Sequence, residues 1–202
     1  MTTASFRARA LSRRAFSLAA AGLALSFAAG APLAAQSSGP TLVVLVRHGE
    51  KAAEPAGDPP LSAAGQARAE ALLDALAHNP PIAIFVSPTK RTHETAQFVA
   101  GKFGVKPTAI SLAGGGAAHV AAVAAAVLKQ RGVVLVVGHS NTIPAIVKAL
   151  GGPALPDLCD ASYATMFVLQ PGTDGKPATL VRAHYGAADP ALGAGCAPMS
   201  PR

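Results

Sequence analysis

Several absences narrow the functions open to this 202-residue chain. Aromatic residues make up only 4% of it, and no block of basic residues is interleaved with them, so the stacking and phosphate-tracking surface of a nucleic-acid binder finds no support. No His or Cys pair has metal-ligand spacing, and no glycine-rich nucleotide loop is present. Carboxylates are scarce, 10 in all, and none occurs from Lys102 to Gly138. No internal repeat is visible, and the length suits one domain plus a removable segment.

What is present begins with that segment. Arg7, Arg9, Arg13 and Arg14 precede an apolar stretch from Ala15 to Ala29 and then small residues, the order of an export signal. Ser12 to Leu18, "SRRAFSL", resembles the twin-arginine signal of bacterial proteins that cross the membrane folded. The expected organisation is a signal over 1–35, a spacer over 36–40 and a single domain over 41–202. A periplasmic or secreted location is expected, with no stable membrane insertion once the signal is removed. Four arginines leave with the signal, so a formal +7 falls to 13 bases against 10 acids, and the high pI is mostly an export feature. Both cysteines, Cys159 and Cys196, stay in the mature chain, where a disulfide between them would pin the Gly/Pro/Ala-rich tail.

In the mature part, apolar runs of strand length alternate with Ala/Leu-rich segments. Thr41 to Val46, Ile82 to Ser87 and Val133 to Gly138 are continuously apolar and rich in β-branched residues, as strands buried on both faces are. Helices are expected from near Ser62, from Ser87-Pro88 to Gly104, from about Gly116 to Arg131, and from about Asn141 to Leu150. Two further strands, "YATMFVLQ" and "TLVRAHY", flank a turn. This alternation predicts an α/β fold, a three-layer α/β/α sandwich around a mostly parallel sheet.

In such sheets the functional crevice lies beyond the carboxyl ends of the strands. The first strand hands over to Arg47-His48-Gly49-Glu50, "VVLVVG" hands over to His139-Ser140-Asn141, and Arg91 falls in the first turn of a helix. Two arginines offer forked, permanently charged donors that match phosphoryl oxygens, and a neutral imidazole is a competent nucleophile toward phosphorus.

The segments "LVRHGE", "PLSAAGQAR", "SPTKRTHETA" and "VVGHSNTI", in that order over roughly Thr41 to Leu150, resemble the histidine phosphatase superfamily with its phosphoglycerate mutase-like fold. The resemblance implies a covalent phosphoryl intermediate on His48, a clamp of Arg47 and Arg91, and His139 as a further donor, with water releasing phosphate and no cofactor or metal. Gly49, Glu50, Ser140, Asn141 and His119 are the expected substrate contacts. Many members of the family place a leaving-group acid between the second arginine and second histidine, or directly after that histidine. Here neither position carries one, so the donor is open among Glu50, Glu54, His119 and none. The short span from Arg91 to His139 leaves no room for a large lid domain and predicts an open pocket.

The expected function is therefore a metal-independent phosphomonoester hydrolase acting on an extracytoplasmic phosphorylated sugar, glycolipid or phosphoprotein. One rival is a phospho-ligand binding protein that uses the same pocket without efficient chemistry. A second is a serine hydrolase using Ser140, although "GHSNT" lacks the second glycine of a nucleophile elbow.

Overall fold

The structure is a computed structural model that describes residues 1–2, 41–172 and 176–190. Beyond its first two residues the expected signal over 1–35 lies outside the described residues, as do 36–40 and Cys196. The elements run β1 (Leu42–Arg47), α1 (Ala63–Leu76), β2 (Ala83–Val86), α2 (Lys90–Phe103), β3 (Thr108–Ala109), α3 (Gly115–Leu128), β4 (Val133–Gly138), α4 (Thr142–Ala149), β5 (Thr165–Gln170) and β6 (Thr179–His184).

The strands form one six-stranded sheet in the order β3-β2-β4-β1-β5-β6. Pairings among β1, β4, β2 and β3 are parallel, whereas β5 and β6 are added antiparallel on the β1 side. Alternation along the central strands divides the core in two. Val43, Leu45, Val134 and Val136 pack with Val123 and Val127 of α3 and Ile143, Ile146 and Val147 of α4. Their neighbours Val44, Val46, Leu135 and Val137 pack with Leu72 and Leu76 of α1 and Ala96 and Val99 of α2. Two layers of helix therefore enclose the sheet, as expected for strands apolar at every position. Each fully buried Val, Leu or Ile contributes about 1.5–3 kcal/mol of transfer free energy, so these two clusters are the main cohesion of the fold.

Local chemistry explains most boundaries. Ser62 caps α1 by accepting from the Gly65 N–H at 3.2 Å, and Gly104 closes α2 in the left-handed region at φ 67°. Three details differ from the sequence expectation. Helix α2 begins at Lys90 with Thr89 as its cap, not at Ser87-Pro88, because the Ser87 hydroxyl is buried and engaged elsewhere. Helix α3 ends at Leu128, where a tight turn from Val127 O to Gln130 N replaces its last turn. The two-residue strand β3 carries no apolar run and was not legible in advance.

Candidate active site

Parallel register builds the site. Arg47 at the end of β1 stands opposite Gly138 at the end of β4, and the His48 N–H donates to the Gly138 carbonyl at 2.9 Å. The next residue on each strand is a histidine, so the rings of His48 and His139 meet edge to face with centroids 5.3 Å apart. On the other flank of β4, Val86 stands opposite Val137, which carries Ser87 Oγ to within 2.8 Å of His139 Nε2. Ser87 and Thr92 hydroxyls lie 3.1 Å apart behind that contact, and the His139 N–H donates to Thr142 Oγ1 at 2.9 Å.

A cavity of about 400 Å³ opens at this edge, lined by Arg47, His48, Arg91, His139, Ser140 and Asn141. Its opposite wall is the small-residue stretch Ala52, Ala53, Pro55, Ala56, Gly57 and Pro59, with Lys51 and Asp160 completing the lining. The four residues expected to carry chemistry are thus brought together, with Ser140 and Asn141 beside them. Gly49, Glu50 and His119 lie outside the lining. Gly49 sits where β1 meets α1: a Cβ there would come within 2.9 Å of the Gly65 carbonyl, and its N–H donates to Thr95 Oγ1. Glu50 turns away from the cavity and binds Arg68 through both carboxylate oxygens, at 2.7 to 3.1 Å. His119 is buried on the inner side of α3 with Nδ1 3.1 Å from the Ser111 carbonyl. Of the residues nearer the margins, His184 is exposed and lines a different cavity, while Tyr185 is buried in the α1/α2 core.

The protonation pattern follows from geometry. His48 Nδ1 lies 2.8 Å from the Gly49 carbonyl, which can only accept. The proton therefore resides on Nδ1 and the lone pair on Nε2. Burial pushes the His48 pKa down to about 3, with Arg47, His139 and Arg91 acting in the same direction against the Gly49 hydrogen bond. Burial likewise takes His139 to about 4, reinforced by Arg91, His119 and Arg47. Both rings are neutral at neutral pH.

The arginines are held by loops. Arg47 Nη1 lies 2.8, 2.9 and 3.3 Å from the carbonyls of Cys159, Asp160 and Ser162, and the guanidinium covers the Tyr163 ring at 4.2 Å. Asp189 fixes that loop by accepting from the N–H groups of Tyr163 and Ala164 at 2.7 and 2.9 Å. Arg91 projects from the first turn of α2 and pairs with Asp58 at 3.4 Å, and Asp58 also accepts the Lys90 N–H. The helix end is thus partly neutralised by a carboxylate before any ligand arrives. Among the described residues, Arg47 Nε and Arg91 Nε are buried without an acceptor. Ser87, Asp160, Tyr163 and Asp189 have no site role assigned from the sequence because their roles depend on strand register and on the loop that precedes β5. Among the described residues no group of three His, Cys, Asp or Glu could hold a metal ion.

Comparison with known proteins points the same way. Residues 43–111 match the model of the histidine phosphatase superfamily, branch 1. Over 74% of this chain and 99% of its own, a solved structure from Agrobacterium tumefaciens that bears the provisional name phosphohistidine phosphatase SixA is 26% identical, with a TM-score of 0.52. The protein histidine phosphatase SixA in complex with tungstate is 18% identical over 71% of this chain and 96% of its own, with a TM-score of 0.54. A mycobacterial glucosyl-3-phosphoglycerate phosphatase with VO3 is 19% identical over 69% and 96%, with a TM-score of 0.53. These last two establish likeness of fold. No curated protein matches the chain significantly in sequence. The matched segment, the fold and the pocket all resemble those of histidine phosphatases.

Proposed function

We propose that the chain is a metal-independent phosphomonoester hydrolase in which Nε2 of His48 takes the phosphoryl group from substrate and passes it to water. The observation that carries this reading is the state of His48: a neutral ring whose only lone pair is on Nε2, in a cavity that also holds Arg47, Arg91 and His139. Attack of Nε2 forms the P–N bond as the P–O bond to the leaving group breaks. Negative charge on the equatorial oxygens is met by the two guanidinium groups, whose buried Nε donors have no acceptor among the described residues. His139 donates to the same oxygens, its ring held by Ser87 and its main chain by Thr142.

The proposed substrate is an extracytoplasmic phosphorylated sugar, sugar-bearing lipid or phosphoprotein. Support comes from the signal-like order of residues 1–35 and, among the described residues, from a cavity lined without a separate lid. In the same compartment a Cys159–Cys196 disulfide would fasten the loop whose carbonyls hold Arg47. The test is hydrolysis of p-nitrophenyl phosphate in EDTA, with His48→Ala alongside. EDTA-resistant turnover that disappears in the variant is the expected result. Tight vanadate binding with no turnover of any ester would replace the enzyme by a phospho-ligand binding protein.

A further inference from the structure

We infer that Asp160 is the proton donor to the leaving group, so that the enzyme takes phosphate esters of ordinary alcohols and is not confined to esters and amides that leave unaided. The inference rests on the phosphatase reading above. It starts from the three donors that the sequence left open, none of which lines the cavity. The Glu50 carboxylate is chelated by Arg68, whose hydrogen bonds and charge outweigh burial and hold it ionised. Glu54 is exposed and spends Oε2 on the N–H of Ala56 at 3.0 Å. His119 is buried, with Nδ1 turned to a main-chain carbonyl.

Asp160 differs on every count. Among the described residues, it is the only carboxylate residue lining the cavity that holds His48, His139 and both arginines. Its main chain is fixed: its own carbonyl accepts from Arg47 Nη1 at 2.9 Å, the Ser162 N–H closes a turn onto Cys159, and Leu158 bonds to Ser140. Its side chain is 75% exposed and reaches the clamp, with Oδ1 paired to Arg47 Nη2 at 3.5 Å. A phosphoryl group held by Arg47 would therefore lie beside this carboxyl group.

The step balances. His48 Nε2 bonds to phosphorus, and the P–O electron pair stays on the departing oxygen, which takes the proton of the Asp160 carboxylic acid and leaves as an alcohol. In the return step the Asp160 carboxylate accepts a proton from water as its oxygen bonds to phosphorus, and the P–N pair returns to the imidazole.

The experiment compares wild type, Asp160→Asn and His48→Ala on phosphate monoesters of graded leaving-group acidity: glycerol 2-phosphate, phenyl phosphate, p-nitrophenyl phosphate and 2,4-dinitrophenyl phosphate. The readout is kcat/KM, which covers steps only up to alcohol release, so effects on hydrolysis of the phosphoenzyme drop out. The expected loss in Asp160→Asn is about 10²- to 10⁴-fold on the alkyl ester, the usual contribution of a general acid, and shrinks steadily as the alcohol becomes more acidic. A loss of equal size across the series would overturn the donor role and leave Asp160 a support for Arg47. No loss on the alkyl ester would overturn it outright. A wild type inert on every ester would overturn the phosphatase reading itself, as would full activity in His48→Ala.

Discussion

Replacing Glu50 with Gln removes one charge from a pair that lies beside the cavity without lining it. Arg68 is 3% exposed and Glu50 25%, with Nη2 and Oε1 2.7 Å apart. The remaining Arg68 nitrogen donates to the carbonyls of Tyr185 and Ala187, both at 3.0 Å, so this guanidinium ties the β1 tip, α1 and the segment after β6 together. Removing one partner of a fully buried pair costs about 3–5 kcal/mol; because Glu50 is partly solvated and Gln keeps one acceptor, about 2–3 kcal/mol is expected. At roughly 2–4 °C per kcal/mol for a domain of this size, Tm should fall by roughly 5–10 °C. The effect has a pH signature. Arg68 holds the folded pKa of Glu50 below its ordinary 4.5 in spite of burial, so the stabilisation is complete above that value. It is lost as pH falls through the folded pKa, and the two melting curves should converge in acid. The assay is thermal unfolding of both proteins from acidic to neutral pH, with kcat/KM measured well below Tm, where the variant should match wild type within about threefold, since nothing removed touches the reacting atoms. An unchanged Tm together with a hundredfold loss of activity would refute the structural role of Glu50 and return it to the substrate.

Three further outcomes follow from the structure. A Cβ at Gly65 would stand 2.2 Å from the Glu50 carbonyl oxygen, a main-chain atom that cannot swing aside, so Gly65→Ala should destabilise by at least about 1–3 kcal/mol in urea unfolding, despite alanine's better helix propensity. Because His48 and His139 titrate at about 3 and about 4, kcat/KM on 2,4-dinitrophenyl phosphate should show no loss from imidazole protonation between neutral pH and about pH 5, falling only below that. Stability should already decline where activity is still flat: folded pKa values below the ordinary 6.5 mean that the unfolded chain takes up protons first, so stability falls as pH drops below about 6.5. An inflection in kcat/KM near pH 6.5 would contradict the neutral, buried state of both rings.

Much of the site could be read from the chain because its groups sit at the ends of buried strands. An apolar run that stops at Arg47-His48, and another that stops at His139, announce both the sheet and its functional edge, and parallel register does the rest. The caps at Ser62 and Gly104 were legible for the same reason, since each is a local choice of backbone and side chain. Long-range returns were not legible. Ser87 looks like a helix cap until β2 is placed beside β4, whereupon its hydroxyl belongs to His139. Asp160 stands far along the chain from Arg47 and reaches the cavity only because the loop before β5 folds over that arginine and is held there by Asp189. Glu50 was misplaced in the opposite sense: its position next to the histidine-glycine pair suggested a substrate contact, but the close approach of Gly49 to Gly65 directs its side chain to Arg68.

The central claim is that the phosphoryl group passes through His48. Mixing wild type with 2,4-dinitrophenyl phosphate, quenching in alkali within the first turnover and mapping the modified peptide by mass spectrometry tests it most directly. One acid-labile, alkali-stable phosphoryl group on the peptide bearing His48, absent from His48→Ala, is the predicted result. Undiminished turnover by that variant, or modification confined to another residue, would contradict it.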